Sequence, residues 1–164
     1  MDSRYDAICG ITEDELYSVF GEAISDMANK FDYTVDEMKS LLKKQYDGYH
    51  FSEALLDIYN PFSIINAFDK LKLDNYWYKS GTPTYLVKLL EGHHVNMQKL
   101  TSRPYESQYF VDYRADAENP LAMLYQSGYL TIKGYDRHYR EYTLDYPNAV
   151  SYTHLRAHET ELHL

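Results

Sequence analysis

The chain has 164 residues, 45% of them hydrophobic, enough to build one packed domain or two small ones. Its formal net charge of -9 sets up a field that repels phosphate and disfavours bulk DNA binding. A single cysteine, Cys9, excludes an internal disulfide and a cysteine-only zinc cage, and the lack of an apolar run of about 18 residues or of a basic-then-apolar leader points to a cytoplasmic setting.

Residues 1–11 have no clear period. Thr12-Glu13-Asp14-Glu15 then reads as a capping box, with Thr12 at the cap and Glu15 reaching back. The spacing predicts one helix to about Asn29, with Leu16, Val19, Phe20, Ala23, Ile24 and Met27 as its apolar stripe. Thr34-Val35-Asp36-Glu37 repeats the box and opens a second helix carrying Met38, Leu41, Leu42 and Tyr46, which Asp47-Gly48 breaks. The two helices are expected to pack as an antiparallel pair. Tyr46-Asp47-Gly48-Tyr49-His50-Phe51 is a turn flanked by aromatics, and Ile58-Tyr59 reads as a short extended piece.

Asn60-Pro61 combines a cap with a proline that needs no N–H partner, and starts a third helix with Phe62, Ile65, Phe68 and Leu71 facing inward. Tyr76-Trp77-Tyr78 follows. Three consecutive aromatics cannot all point inward, so one of them is expected to meet another surface. Ser80-Gly81-Thr82-Pro83 opens a fourth helix, with Leu86, Leu89 and Leu90 inward before Gly92, and residues 95–100 form another short turn. Residues 101–118 read as an extended connector with a short strand around 109–111.

The last stretch is the most fully punctuated. Asn119-Pro120 starts a short helix, and Gly128 supplies the left-handed residue that ends it. Tyr129, Leu130, Ile132 and Tyr135, then Tyr139, Tyr142 and Leu144, are β-prone residues on either side of the polar Asp136-Arg137-His138 turn. A short helix feeding a two-stranded ribbon is how a winged-helix unit ends, and such a hairpin needs helices to cover one face. The 19 tyrosines suit half-wet surfaces between subdomains, because each ring buries apolar area while its hydroxyl seeks a polar partner.

Five phrases occur here in one order: Cys9-Gly10-Ile11-Thr12-Glu13-Asp14-Glu15-Leu16, Tyr46-Asp47-Gly48-Tyr49-His50-Phe51, Tyr59-Asn60-Pro61-Phe62-Ser63, Tyr76-Trp77-Tyr78-Lys79-Ser80-Gly81-Thr82-Pro83, and Leu124-Tyr125-Gln126-Ser127-Gly128-Tyr129-Leu130-Thr131-Ile132. Together they resemble the AAA-ATPase-like family of bacterial P-loop proteins, which often carry a PD-(D/E)XK-type nuclease domain after the ATPase region. The resemblance runs from about Tyr5 to Asn148 and covers only the family's later half, where a helical lid and a winged-helix-like unit are expected. It implies a parent that binds ATP and Mg²⁺. None of the seven glycines is followed by lysine, so no G-x-x-x-x-G-K-[ST] loop exists in these residues to cradle phosphates. The piece itself is therefore expected to hold no cofactor and to hydrolyse no ATP. Its implied partners are a P-loop core ahead of it and a nuclease domain behind it.

Two candidate sites follow. Gly81, Thr82 and Pro83 sit at a helix start whose N–H groups and dipole suit an anion. The resemblance places a similar Gly-x-Pro element in the lid of related ATPases, near the adenine. Lys133, Arg137 and Arg140, with His138, lie among Tyr135, Tyr139 and Tyr142 on the hairpin, a mix able to touch phosphates and stack bases. The interleaved Asp136, Glu141 and Asp145 equally describe a solvated strand face.

Other groupings have ordinary explanations. Glu37-Met38-Lys39 has the Glu-x-Lys spacing of a nuclease strand but lies inside a capped helix. Asp47, His50 and Asp57 could form an acid-base group, although nothing in their spacing fixes a shared geometry. The adjacent His93 and His94 fit a solvated loop. Residues 149–164 are set aside as a non-native tail, since Ser151 to Thr160 look like translated sequencing-adapter read-through; His154 and His158, four apart, with Glu159 and His163 near them, are excluded as a metal site on that ground.

The expected architecture is mainly α with a C-terminal β-hairpin, a helical lid-like subdomain over residues 1–100 followed by a connector and winged-helix-like unit over 101–148. Its expected role is that of a nucleotide-state-sensing or regulatory module. The alternatives are a winged-helix nucleic-acid reader and a protein-interaction module that docks a partner through Tyr76-Trp77-Tyr78.

Overall fold

A computed structural model of the protein describes residues 3–79, 96–111 and 120–153. A 3-10 segment, Ser3–Cys9, leads into four main helices: α1 (Glu13–Val19), α2 (Gly21–Lys30), α3 (Val35–Tyr46) and α4 (Pro61–Lys70). Short helical turns α5 (Tyr76–Lys79), α6 (Met97–Thr101) and α7 (Gln108–Val111) precede α8 (Pro120–Gln126). Strands β1 (Pro104–Tyr105), β2 (Thr131–Asp136) and β3 (Glu141–Asp145) form an antiparallel sheet in the order β1-β3-β2. The chain is thus helix-rich with one small sheet. Among the described residues no helix is long and apolar enough to cross a membrane.

Local chemistry sets the helix starts. Both capping boxes form, with Thr12 accepting from Glu15 N and Thr34 from Glu37 N while each glutamate returns to the cap backbone. Asn60 caps α4 by accepting from Ser63 N, and Pro61 occupies the first turn. Gly128 ends α8 with φ at +75°.

The expected single helix to about Asn29 is instead two. Phe20 leaves the helical region at φ -108° and ψ 17°, the flexible Gly21 follows, and the Phe20 ring stacks on Phe68 at 5.6 Å. The break turns Val19, expected inward, out to 69% exposure, while Leu16, Ile24 and Met27 stay buried. On α4 the buried side chains are Ser63, Ile64 and Ala67, whereas the expected core residues Phe62 and Ile65 are 42% and 54% exposed. Two overlapping apolar stripes exist on that helix, and packing against α2 and α3 selects the one through Ile64. The strand expected around 109–111 is also corrected. There the N–H groups of Tyr109, Phe110 and Val111 turn back on the carbonyls of Glu106 and Ser107, and the strand falls on Pro104 and Tyr105, which pair with Thr143 and Tyr142.

Two cores result. One gathers Leu16, Ile24, Met27, Met38, Leu42, Tyr59 and Ile64 between the first four helices. The other gathers Phe110, Leu121, Leu124, Tyr129, Ile132 and Leu144 beneath the sheet. The division runs through α5: Tyr76 belongs to the first core and Tyr78 to the second, because residues two apart on a helical turn point to opposite sides. Residues 149–153, set aside by sequence, are helical, and buried Ser151 donates to the Tyr129 carbonyl at 3.1 Å.

Candidate functional site

The aromatic turn after α3 is sewn to the first strand of the hairpin. The Thr131 hydroxyl accepts from the His50 N–H at 2.7 Å and donates to the His50 carbonyl at 2.9 Å. The His50 ring spans the seam, with Nδ1 2.6 Å from the Ile132 carbonyl oxygen and Nε2 2.7 Å from Asp57 Oδ1. The register shift between Ile132 and Gly134 makes Lys133 the extra residue of a bulge, and bulges re-aim side chains. Here the Lys133 ammonium donates to the carbonyls of Gly48 at 2.9 Å and Pro147 at 3.1 Å. Asn148 adds a bond to the Asp47 carbonyl at 3.0 Å. Gly48 is required at this seam, because its φ is +94° and a Cβ would strike the Pro147 carbonyl.

Lys43 gathers carboxylates along one edge of the seam: Glu13 at 2.9 Å, Asp47 at 3.4 Å and Asp57 at 3.8 Å. The Glu13 contact is the main cause that holds its ammonium charged. Asp47 lies deeper. Burial pushes its carboxyl up, against the pull of the Gly48 N–H and of Lys43, and its Oδ1 makes no hydrogen bond. Buried Tyr59 is likewise pushed up, by desolvation and then by Asp47, and its hydroxyl also lacks a partner. Burial lowers Lys133, with Asp57, Asp145 and Asp47 opposing that shift.

Asp47 and Asp57, for which spacing with His50 fixed no geometry, therefore meet at Lys43, and His50 joins them through Asp57. Both His50 ring nitrogens face acceptors and the residue is buried, so the ring joins elements and has no open face for a substrate. Among the described residues no group of three or more His, Cys, Asp or Glu side chains is arranged to hold a metal.

Beside the seam lies a cleft of about 390 Å³, walled by Cys9, Tyr49, Phe51, Phe62, Trp77 and Tyr125. Trp77, 38% exposed, is the aromatic of its triplet that faces outward. Its Nε1 donates to the Ser127 carbonyl at 3.2 Å, and its ring meets Phe62 edge-on at 6.2 Å. Gly128 forms part of the floor, where a Cβ would sit 3.4 Å from both the Trp77 indole nitrogen and the Tyr49 ring.

Of the candidate residues, Gly81, Thr82 and Pro83 lie outside the described residues, as do His93, His94, His154, His158, Glu159 and His163. The hairpin cations are separated. Lys133 points into the seam, whereas Arg137 and Arg140 are on the exposed turn, where Asp136 Oδ1 accepts from the N–H groups of His138 and Tyr139. Glu37 closes its capping box, and Lys39 lies over the Tyr17 ring at 4.3 Å. Thr131 acquires its role only from His50, 81 positions away. In sequence Thr131 is one residue of the last aromatic phrase, and Asp57 stands out only as a possible companion of Asp47 and His50.

No family model matches the chain, and no solved structure does. The chain is 31% identical over 150 residues to an uncharacterized protein in the vnfD 5′ region of Azotobacter chroococcum mcd 1. That alignment takes in 90% of this chain and 27% of the relative, so the chain spans about a quarter of the length of the curated relative it matches.

Proposed function

We propose that these residues form the lid and winged-helix-like portion of a longer AAA-like P-loop ATPase, a regulatory module that senses nucleotide state and performs no catalysis itself. One observation carries this reading: the five family-like phrases, spread from Cys9 to Ile132, all contribute to the wall of one cleft, through Cys9, Tyr49, Asn60, Trp77 and Tyr125 among others. Scattered phrases that merely stabilise local turns have no reason to converge. Further support comes from the short helix α8 feeding the β2-β3 ribbon, to which β1 adds a third strand. The similarity to a quarter of a longer protein fits a module attached to further domains, a P-loop core supplying ATP and Mg²⁺ chemistry and a nuclease as effector. Gly81 and Pro83 would then face the nucleotide.

The test is ATP binding and hydrolysis by the longer polypeptide that contains these residues. ATP binding that weakens in a stably folded Gly81→Ala, Pro83→Ala variant is the expected result. A longer polypeptide that neither binds nor hydrolyses ATP would remove the reading, and unchanged affinity in the variant would remove the role of the Gly-x-Pro element.

A further inference from the structure

The cleft beside Trp77 is walled mainly by aromatic and aliphatic side chains. Among the described residues no charged side chain lines it. The Trp77 indole N–H is directed to Ser127, Gln126 Nε2 donates to the Val111 carbonyl at 3.2 Å, and Asn60 Oδ1 accepts from Ser63 N at 2.9 Å. Small-molecule sites of about 300–1,000 Å³ combine apolar walls with a few convergent polar groups, whereas here Trp77, Gln126 and Asn60 are already engaged within the protein. An apolar side chain needs nothing more. The cleft also continues onto α4, where Phe62 and Ile65 are spaced three apart on the exposed face. The pair makes an apolar strip on the helix surface beside the cleft.

We infer that this cleft and the Phe62-Ile65 strip seat an amphipathic segment of the longer polypeptide, which inserts one large aromatic or leucine anchor between Trp77, Phe62 and Tyr125. The inference rests on the proposal that these residues belong to a longer protein. The occupant is sought within the same polypeptide because about three quarters of the matched relative lies beyond the aligned region, leaving ample chain to cover an exposed apolar face. The net charge of -9 favours a segment whose polar side carries Lys or Arg. Burying Trp77 at such a contact would follow the usual preference of Trp for the centre of interfaces.

Cys9 is the chain's single cysteine, is exposed and lines the cleft, so its alkylation reports on occupancy. The experiment compares iodoacetamide alkylation of Cys9, read by peptide mass, in the 164-residue chain and in the longer polypeptide. The expected result is alkylation slower by about tenfold or more in the longer polypeptide, together with reduced hydroxyl-radical labelling of Phe62 and Trp77. Ile65→Glu, at an exposed position of the strip outside the cleft, should restore Cys9 reactivity there while leaving the urea midpoint of the 164-residue chain in place. Equal reactivity in both proteins overturns the inference. Protection that grows with the concentration of the 164-residue chain alone also overturns it, because a second copy would then be the occupant. ATP hydrolysis measured on the same samples separates the two ideas: protection without hydrolysis removes the ATPase reading only, and hydrolysis with reactive Cys9 removes the docking segment only.

Discussion

His50 and Ile132 are 82 positions apart, yet the imidazole Nδ1 of the first donates to the carbonyl of the second at 2.6 Å. The other ring nitrogen meets Asp57 at 2.7 Å. The imidazole thereby ties the β2 backbone to the segment that carries Asp57.

The first prediction concerns that bridge. His50→Gln reaches one acceptor at most, so it should lower stability by about 2 kcal/mol, or roughly 4–8 °C in Tm, for a chain of this size. Thermal unfolding measures the loss, and a change under about 0.5 kcal/mol would place the strength of the seam elsewhere.

Two carboxylates give opposite pH signatures. Lys79, then the Asn75 N–H and Lys72, hold Asp74 down at about 2, so its contribution is complete above the ordinary carboxylate range and is lost as pH falls toward about 2. Asp47 is raised by burial, so folding is favoured most where it is protonated in both states, and that advantage is lost as pH rises through its folded value. Urea midpoints across pH should show Asp74→Asn flattening the acid limb and Asp47→Asn flattening the limb above it. Parallel curves for either variant and the parent chain would contradict the assignment.

Glycine positions should rank by space as well as by backbone. Gly128→Ala forces an alanine to φ +75°, with its Cβ in ordinary contact with Trp77 and Tyr49, and should cost about 1–2 kcal/mol. Gly48→Ala adds a collision with the Pro147 backbone and should cost more. Chemical denaturation of the two variants checks the order.

The exposed and buried faces of the first helices make a sharper contrast. Val19→Lys and Ile65→Lys should each change the stability of the chain by no more than about 0.5 kcal/mol, since both side chains are exposed. Ile24→Ala, at a fully buried position, should cost about 2–5 kcal/mol. A large loss at Val19 would restore the single continuous helix that the spacing suggested.

The exposed turn offers a direct comparison with nucleic-acid reading. Arg137 and Arg140 are accompanied by Asp136 and Glu141, and Lys133 is occupied at the seam. The 164-residue chain should therefore bind single-stranded or duplex DNA weakly at low salt, with no loss in the Arg137→Ala, Arg140→Ala double variant. Tight, salt-dependent binding abolished by that variant would favour the winged-helix reader.

By itself the sequence determined the punctuation. Thr12, Thr34, Asn60 and Gly128 act within one helical turn, so their chemistry is legible without knowing what lies across the chain. It also marked the aromatic phrases that wall the cleft. Tertiary structure alone decided which stripe of α4 is buried, where the first helix breaks and what the His50 ring bridges. The reason is physical. Phe62 and Ile65 are at least as apolar as the Ser63, Ile64 and Ala67 that α4 buries, so local pattern gives no reason to prefer the buried face. Contacts between residues more than forty positions apart, such as Phe20 with Phe68 and His50 with Ile132, select among those choices, and no short window of sequence contains both partners.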